Sequence, residues 1–265
     1  MRVVVLGSGS SGNSLVVEFG EVRIAVDAGF GRRTLTNRFR AAGVAPESIS
    51  ACVITHEHLD HAHGAAAARK AWRWPIAATP LTLRAMGVDH AAPGVRALDY
   101  ATPMTVGDTR ITLIPVSHDA AAPAAVLIED GASGARVGIA YDLGETTPGL
   151  VETFSRLDLL VLESNHEMGM LRAGSYPLSL QDRIAGRRGH LSNAQAANFA
   201  ARVAHRSMRA IVLAHLSQEN NTPALAHAAV ANALRRTTFR GTLVTARQDV
   251  PRAIGAAPPA QLSLF

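Results

Sequence analysis

His56-Glu57-His58-Leu59-Asp60-His61 stands between an apolar run, Ala51-Cys52-Val53-Ile54, and a small-residue segment that begins at Gly64. Three imidazoles and a carboxylate within six residues are the donor set of a metal site. Imidazole suits zinc, manganese or iron, and a carboxylate compensates cationic charge. With the apolar run as a strand, the tight loop after it turns His56 and His58 to one side, while Asp60 and His61 reach a second position close by. A solvated histidine-rich loop would have no reason to follow a buried strand with both ligand spacings intact. The hexapeptide therefore specifies a metal and leaves the substrate open.

Working outward, Met1–Leu6 reads as a strand and is followed by Gly7-Ser8-Gly9-Ser10-Ser11-Gly12-Asn13-Ser14. The glycine spacing matches a dinucleotide-binding fingerprint, with Asp27 at the distance of its ribose acid. That fingerprint must open a helix, however. Here Leu15–Phe19 and Val22–Asp27 are extended runs around a turn at Gly20-Glu21, which predicts a hairpin. Helical patterns over 34–42, 64–72 and 80–86 and strands at 50–54 and 76–78 complete a first half. Strands at 111–115, 124–129 and 136–140 open the second half. There, helices at 148–154, 192–205 and 223–235 alternate with strands at 159–163, 211–213 and 242–246. Two strand-rich halves flanked by helices predict a two-sheet α/β sandwich forming one domain over residues 1–254, with a flexible tail over 255–265.

Nearly half of the 265 residues are hydrophobic (48 %), enough for a sizeable core. No apolar run reaches membrane-spanning length and the start lacks a signal-peptide core, so the expectation is a soluble, cytoplasmic protein with no membrane partner. The lone cysteine, Cys52, lies inside the strand before the hexapeptide and reads as a packing residue. A net charge of +5 and a pI near 10.3 favour an acidic partner such as nucleic acid. Lys70 is the only lysine, so the positive charge is almost all arginine, which forks phosphate bidentately.

One hexapeptide supplies only part of a two-metal site. His118, Asp142 and His215 each follow an apolar strand run and are candidates for the rest. In this order, His56-x-His58-x-Asp60-His61, His118, Asp142 and His215 resemble the metallo-β-lactamase-fold superfamily. The resemblance implies an αββα sandwich with a dinuclear Zn²⁺ or Mn²⁺ site at one edge. It assigns His56, His58 and His118 to one metal, Asp60, His61 and His215 to the other, and Asp142 as the bridge.

Longer motifs narrow this. Gly7–Asn13, Ser117-His118-Asp119, Glu163-Ser164-Asn165-His166-Glu167, Tyr176-Pro177, Arg183-Ile184, Gly189–Asn193 and Ala214–Thr222 are similar to the YycJ (WalJ) group. Glu167 and Tyr141 depart from that group's pattern without touching a ligand position. The group implies a 5′-to-3′ DNA exonuclease, with Asp60, Asp142 and His190 as catalytic residues. His190 precedes a Ser192-capped helix, where amides favour an anion, and reads as a proton donor or phosphate clamp. A related histidine serves this way in the tRNA 3′-processing nucleases of the fold. His166, Arg183, Arg187 and Arg188 are candidates for phosphate contact, as is the more distant cluster Arg235, Arg236 and Arg240.

Gln261-Leu262-Ser263-Leu264-Phe265 resembles the pentapeptide by which bacterial polymerases and repair proteins bind the DNA polymerase sliding clamp: Gln261 for a polar contact, and Leu262, Leu264 and Phe265 for an apolar cleft. DNA is favoured over RNA as substrate. The alternatives are an RNA-processing nuclease, a small-molecule ester, thioester or cyclic-phosphodiester hydrolase, and a metal-holding protein that binds without cutting.

Overall fold

The computed structural model describes residues 1–255. The chain runs through β1 (Arg2–Gly7), β2 (Ser14–Phe19), β3 (Val22–Val26), α1 (Arg32–Ala42), β4 (Ala51–Val53), α2 (Leu59–Ala62), α3 (Ala65–Trp72), β5 (Ile76–Ala78), α4 (Pro80–Ala85), β6 (Val95–Ala97), β7 (Met104–Val106) and β8 (Thr109–Pro115). It continues through β9 (Ala124–Asp130), β10 (Arg136–Ala140), α5 (Pro148–Thr153), β11 (Leu159–Glu163), α6 (Met168–Ala173), α7 (Leu178–Ala185), α8 (Asn193–Val203), β12 (Ala210–Ala214), α9 (Pro223–Leu234), β13 (Thr242–Thr245) and β14 (Arg252–Gly255).

The strands divide into two seven-stranded sheets, β14-β1-β2-β3-β4-β5-β6 and β13-β12-β11-β10-β9-β8-β7. Side chains alternate across a strand, and here both faces are apolar because both are covered. Val3 and Val5 of β1 pack between the sheets, whereas Val4 and Leu6 pack under the helices of the first half. In β11, Leu159 and Val161 face the other sheet while Leu160 and Leu162 face α5, α8 and α9. Three apolar layers thus separate four layers of structure, the expected αββα sandwich. Leu160 is fully buried, so Leu160→Ala is expected to cost about 2–5 kcal/mol in denaturant unfolding.

Helix starts follow a repeated device. Thr79, Thr147 and Thr222 each precede a proline and each accept the amide of the residue three positions on. The hydroxyl satisfies an otherwise orphaned donor, and proline occupies a position whose own amide is not needed. Ser192 and Gln195 form a full capping box on α8.

Some elements depart from the expected pattern. β6, β7 and β14 had no expectation because each is three or four residues long and largely or partly exposed. Helices α2, α6 and α7 were likewise not anticipated. Gly255, assigned by composition to the tail, pairs with Arg2 as the last residue of β14. Gln261, Leu262, Leu264 and Phe265 lie outside the described residues.

Strand direction places the site. β10, β11, β12 and β13 are mutually parallel, and β8 and β10 both run antiparallel to β9. The C-terminal ends of β8, β10, β11 and β12 therefore open at one edge. β1 and β3 share one direction through β2, and β4 runs parallel to β3.

Candidate metal centre

At this edge the register is decisive. Ala140 pairs with Leu162, and Glu163 with Ala214, so Tyr141, Glu163 and Ala214 are level, and Asp142 and His215 sit one step beyond. Asp142 and His215 have positive φ, 55° and 53°, as does Asp27 (62°) at the end of β3. Left-handed backbone is uncommon outside glycine, though Asp, Asn and His reach it most readily. It turns each chain sharply off its strand and aims the side chain inward.

The hexapeptide is laced to its neighbours through backbone bonds. Asn13 N donates to Asp60 O (2.7 Å), Ala28 N to His61 O (2.8 Å) and Gly64 N to Ala28 O (2.6 Å). A Cβ on Gly29 would overlap the Asp60 carbonyl, so only glycine permits this approach. The glycine-rich loop after β1 joins strands, as expected, and its Asn13 carboxamide lies 3.1 Å from His61 Nε2.

Potential ligand atoms gather in two sets that meet at Asp142. His56, His58 and His118 bring one ligand atom each within 4.8 Å of one another, as do Asp60, His61 and His215. Asp142 Oδ2 lies 3.8 Å from His56 Nε2 and 2.6 Å from His61 Nε2, while Asp142 Oδ1 lies 3.2 Å from His215 Nδ1. His61 Nδ1 donates to Asp27 Oδ2 (2.7 Å), which leaves the Nε2 lone pair facing a carboxylate oxygen. That contact is satisfied by a cation, either a proton on Nε2 or a metal ion held by both groups. His56 Nε2 and Asp142 Oδ2 are also buried with no hydrogen-bond partner. These donors therefore fit a pair of divalent cations with mixed nitrogen and oxygen ligands.

The electrostatics agree. Burial lowers the His56 and His118 pKa, favouring the neutral imidazole that ligates metal. Burial also opposes charge on His215, but Asp142, Asp60 and Glu163 override it and push the group up to about 9. His61 is held well above its ordinary value against burial by Asp142 and Asp27. Burial would raise Asp142, yet the adjacent His215 and His61 hold it well below the usual carboxylate range. Protons on His61, His190 and His215 thus offset the carboxylates of Asp60, Asp142 and Glu163, a role that divalent cations can take over.

His190 faces this centre. Its Nδ1 lies 2.8 Å from Glu163 Oε1 and 3.1 Å from Asp142 Oδ1, and despite burial Glu163 and Asp142 raise it to about 10. A cleft of about 170 Å³ opens over the centre, lined on that side by His58, Asp60, His118, Asp142, His190 and His215. Arg183 also lines it and pairs with Asp119 at 2.6 Å. The other phosphate candidates do not line the cleft. Arg187 pairs with Glu145 in solvent, and Arg188 Nε donates to the His118 carbonyl. His166 is wholly buried, with both ring nitrogens unpartnered, and burial lowers it to about 4. Arg235 and Arg240 line a separate groove with Leu234 and Phe239.

Sequence reasoning missed the outer supports. Asp27 accepts from the Thr55 amide, the Thr55 hydroxyl and His61. Glu163 Oε1 accepts from His190 and His215, and its Oε2 from the Leu143 and Leu191 amides. Both are acids at the end of an apolar strand, the signal that singled out Asp142.

A fold of this kind with such a centre defines a metallo-hydrolase class, and the chain belongs to the β-lactamase superfamily: the Beta-lactamase superfamily domain matches residues 22–216. It is 34 % identical over 238 residues, 87 % of each chain, to Exodeoxyribonuclease WalJ of Streptococcus pneumoniae strain D39. It is 32 % identical over 240 residues, 89 % of each chain, to Exodeoxyribonuclease YycJ of Bacillus anthracis. The metallo-beta-lactamase fold protein YhfI from Bacillus subtilis superposes with a TM-score of 0.72 at 18 % identity, covering 96 % of this chain and 99 % of that one. Among the described residues, no helix is long and apolar enough to cross a membrane.

Proposed function

We propose that this chain is a dinuclear-metal phosphodiesterase that removes nucleotides from DNA in the 5′-to-3′ direction. Relatives named exodeoxyribonucleases align over 87 % of its length, and Asp142 lies between two ligand triads. His56, His58 and His118 would hold one cation, Asp60, His61 and His215 the other, and Asp142 would serve both. Mixed imidazole and carboxylate donors accept Zn²⁺ or Mn²⁺. When bound, two such cations activate a water for attack on phosphorus and neutralise phosphate oxygens.

The chain's own groups do the rest. His190, with Nδ1 held by Glu163, is oriented to deliver a proton from Nε2 to the leaving oxygen. Glu163 fixes that ring and the His215 ring together. Arg183, released from Asp119, is placed to hold a phosphate at the cleft rim. The Gln261–Phe265 segment would bind the sliding clamp and bring the enzyme to cytoplasmic replication forks for repair.

Incubating the protein with Mn²⁺ or Zn²⁺ on 5′-labelled, 3′-labelled and circular DNA and RNA tests the reading. Mononucleotide release from 5′ ends of linear DNA is expected; cleavage of circles or of RNA alone would refute it. Removing Gln261–Phe265 should end co-elution with the clamp while leaving free-DNA hydrolysis intact.

A further inference from the structure

The remaining lining of the cleft has no part in the chemistry above. It is formed by Tyr176, Ile184, Asn165, Asn220, Ser217 and Ser10. Two of these are buried polar side chains with unmet hydrogen-bonding capacity. Asn220 is 3 % exposed; its backbone amide donates to Ser217 Oγ and its carbonyl accepts from Glu167. The Asn220 carboxamide has no partner among the described residues. Asn165 is 5 % exposed and donates through Nδ2 to the His215 carbonyl at 3.0 Å, so its Oδ1 is left as a free acceptor. Both groups line the cleft, where a ligand can pair with them.

The asparagines are held rigidly in place. Asn221 Nδ2 donates to the Ser164 and Asn165 carbonyls and to Asn193 Oδ1, and Gln181 Nε2 holds the Tyr176 carbonyl. A flat aromatic ring, a branched aliphatic chain and amide groups able to donate and accept are the complement of a nucleobase: a face to stack and an edge to pair. Every base has a π-face, so such a wall tolerates sequence.

We propose that Tyr176, Ile184, Asn165 and Asn220 form a nucleoside subsite that takes the base of a single, unpaired nucleotide adjoining the scissile phosphate. This rests on the phosphodiesterase reading and adds that the end of the strand must be unpaired to enter.

The test compares the p-nitrophenyl ester of thymidine 5′-monophosphate with bis(p-nitrophenyl) phosphate, which has no base. In Tyr176→Ala and Asn220→Ala, checked for native thermal unfolding, the ratio of kcat/KM for the nucleoside ester to that for the plain diester should fall about tenfold. Tyr176→Phe should keep it. An unchanged ratio in both variants overturns the subsite. If the wild-type protein cleaves neither ester, the phosphodiesterase reading fails instead. Calorimetric binding of thymidine 5′-monophosphate against inorganic phosphate then decides the subsite. A preference for the nucleotide that Tyr176→Ala abolishes supports it, and equal affinities in the wild-type protein refute it.

Discussion

The two halves of the metal centre have the same number of side chains and different outer support. In one half, His56 Nδ1 meets the Thr55 hydroxyl and His118 Nδ1 meets the Gly189 carbonyl, both at 3.1 Å and both neutral. In the other, His61 and His215 donate to the buried carboxylates Asp27 and Glu163 at 2.7 and 2.9 Å. A carboxylate behind an imidazole makes the facing nitrogen a stronger donor. The second half should therefore hold its cation more firmly, and the first half should exchange more readily.

The largest expected effect comes from joining the halves wrongly. Asp142→Asn removes the shared charge, and hydrolysis should fall on the order of 10⁴-fold, the scale seen when one member of a catalytic unit is lost. Native mass spectrometry should show fewer than two metals per chain. Full occupancy with full activity would mean that Asp142 bridges nothing. A smaller effect separates the halves. Asp27→Asn keeps the shape but withdraws the charge behind His61, and one of two calorimetric metal affinities should drop about 10- to 100-fold. Equal weakening of both would break the comparison.

The pH response of chelated protein sharpens it further. His215 and His190, raised to about 9 and about 10, add stability that is complete below about pH 6.5. That stability is lost as pH climbs through 9 and 10. His56 and His118, lowered by burial, work in the opposite sense. Their contribution is present above about pH 6.5 and is lost as pH falls below it. Thermal unfolding in EDTA should thus peak near neutrality. Added Mn²⁺ or Zn²⁺ should flatten the alkaline limb, because cations replace the protons. The smallest effect belongs to Arg188→Ala, which removes a side chain that braces only the His118 carbonyl. Metal affinity should change by less than about threefold, and a larger loss would show that the first half depends on outer charge after all.

Much of this was legible beforehand because apolar runs that stop at a lone polar residue are conspicuous. The hexapeptide, His118, Asp142 and His215 all follow such runs, and the sheets that carry them are continuous hydrophobic strands. Asp27 was weighed as a ribose acid and set aside with the helix it would have required. Glu163 lay within a recognised motif but had no evident task until three parallel strands set it level with Tyr141. β6 and β7 escaped because they are short and only partly buried, whereas the equally short β4 and β5 are wholly apolar and buried. Of the arginines, Arg183 lines the cleft, whereas Arg187 and Arg188 do not. Charge does not reveal its partner, and Arg187 finds Glu145 and Arg188 a carbonyl rather than the cleft.

The left-handed backbone at Asp27, Asp142 and His215 bears on how this centre can be altered. Glycine relaxes such a position but brings no side chain, and a β-branched residue brings a side chain but resists the turn. Asparagine tolerates the conformation and differs from aspartate mainly in charge. At Asp27 and Asp142 an asparagine exchange therefore isolates electrostatics, whereas an alanine exchange confounds loss of the ligand with distortion of the chain. Libraries that randomise these three sites should return Asp, Asn, His and Gly among folded survivors and little else.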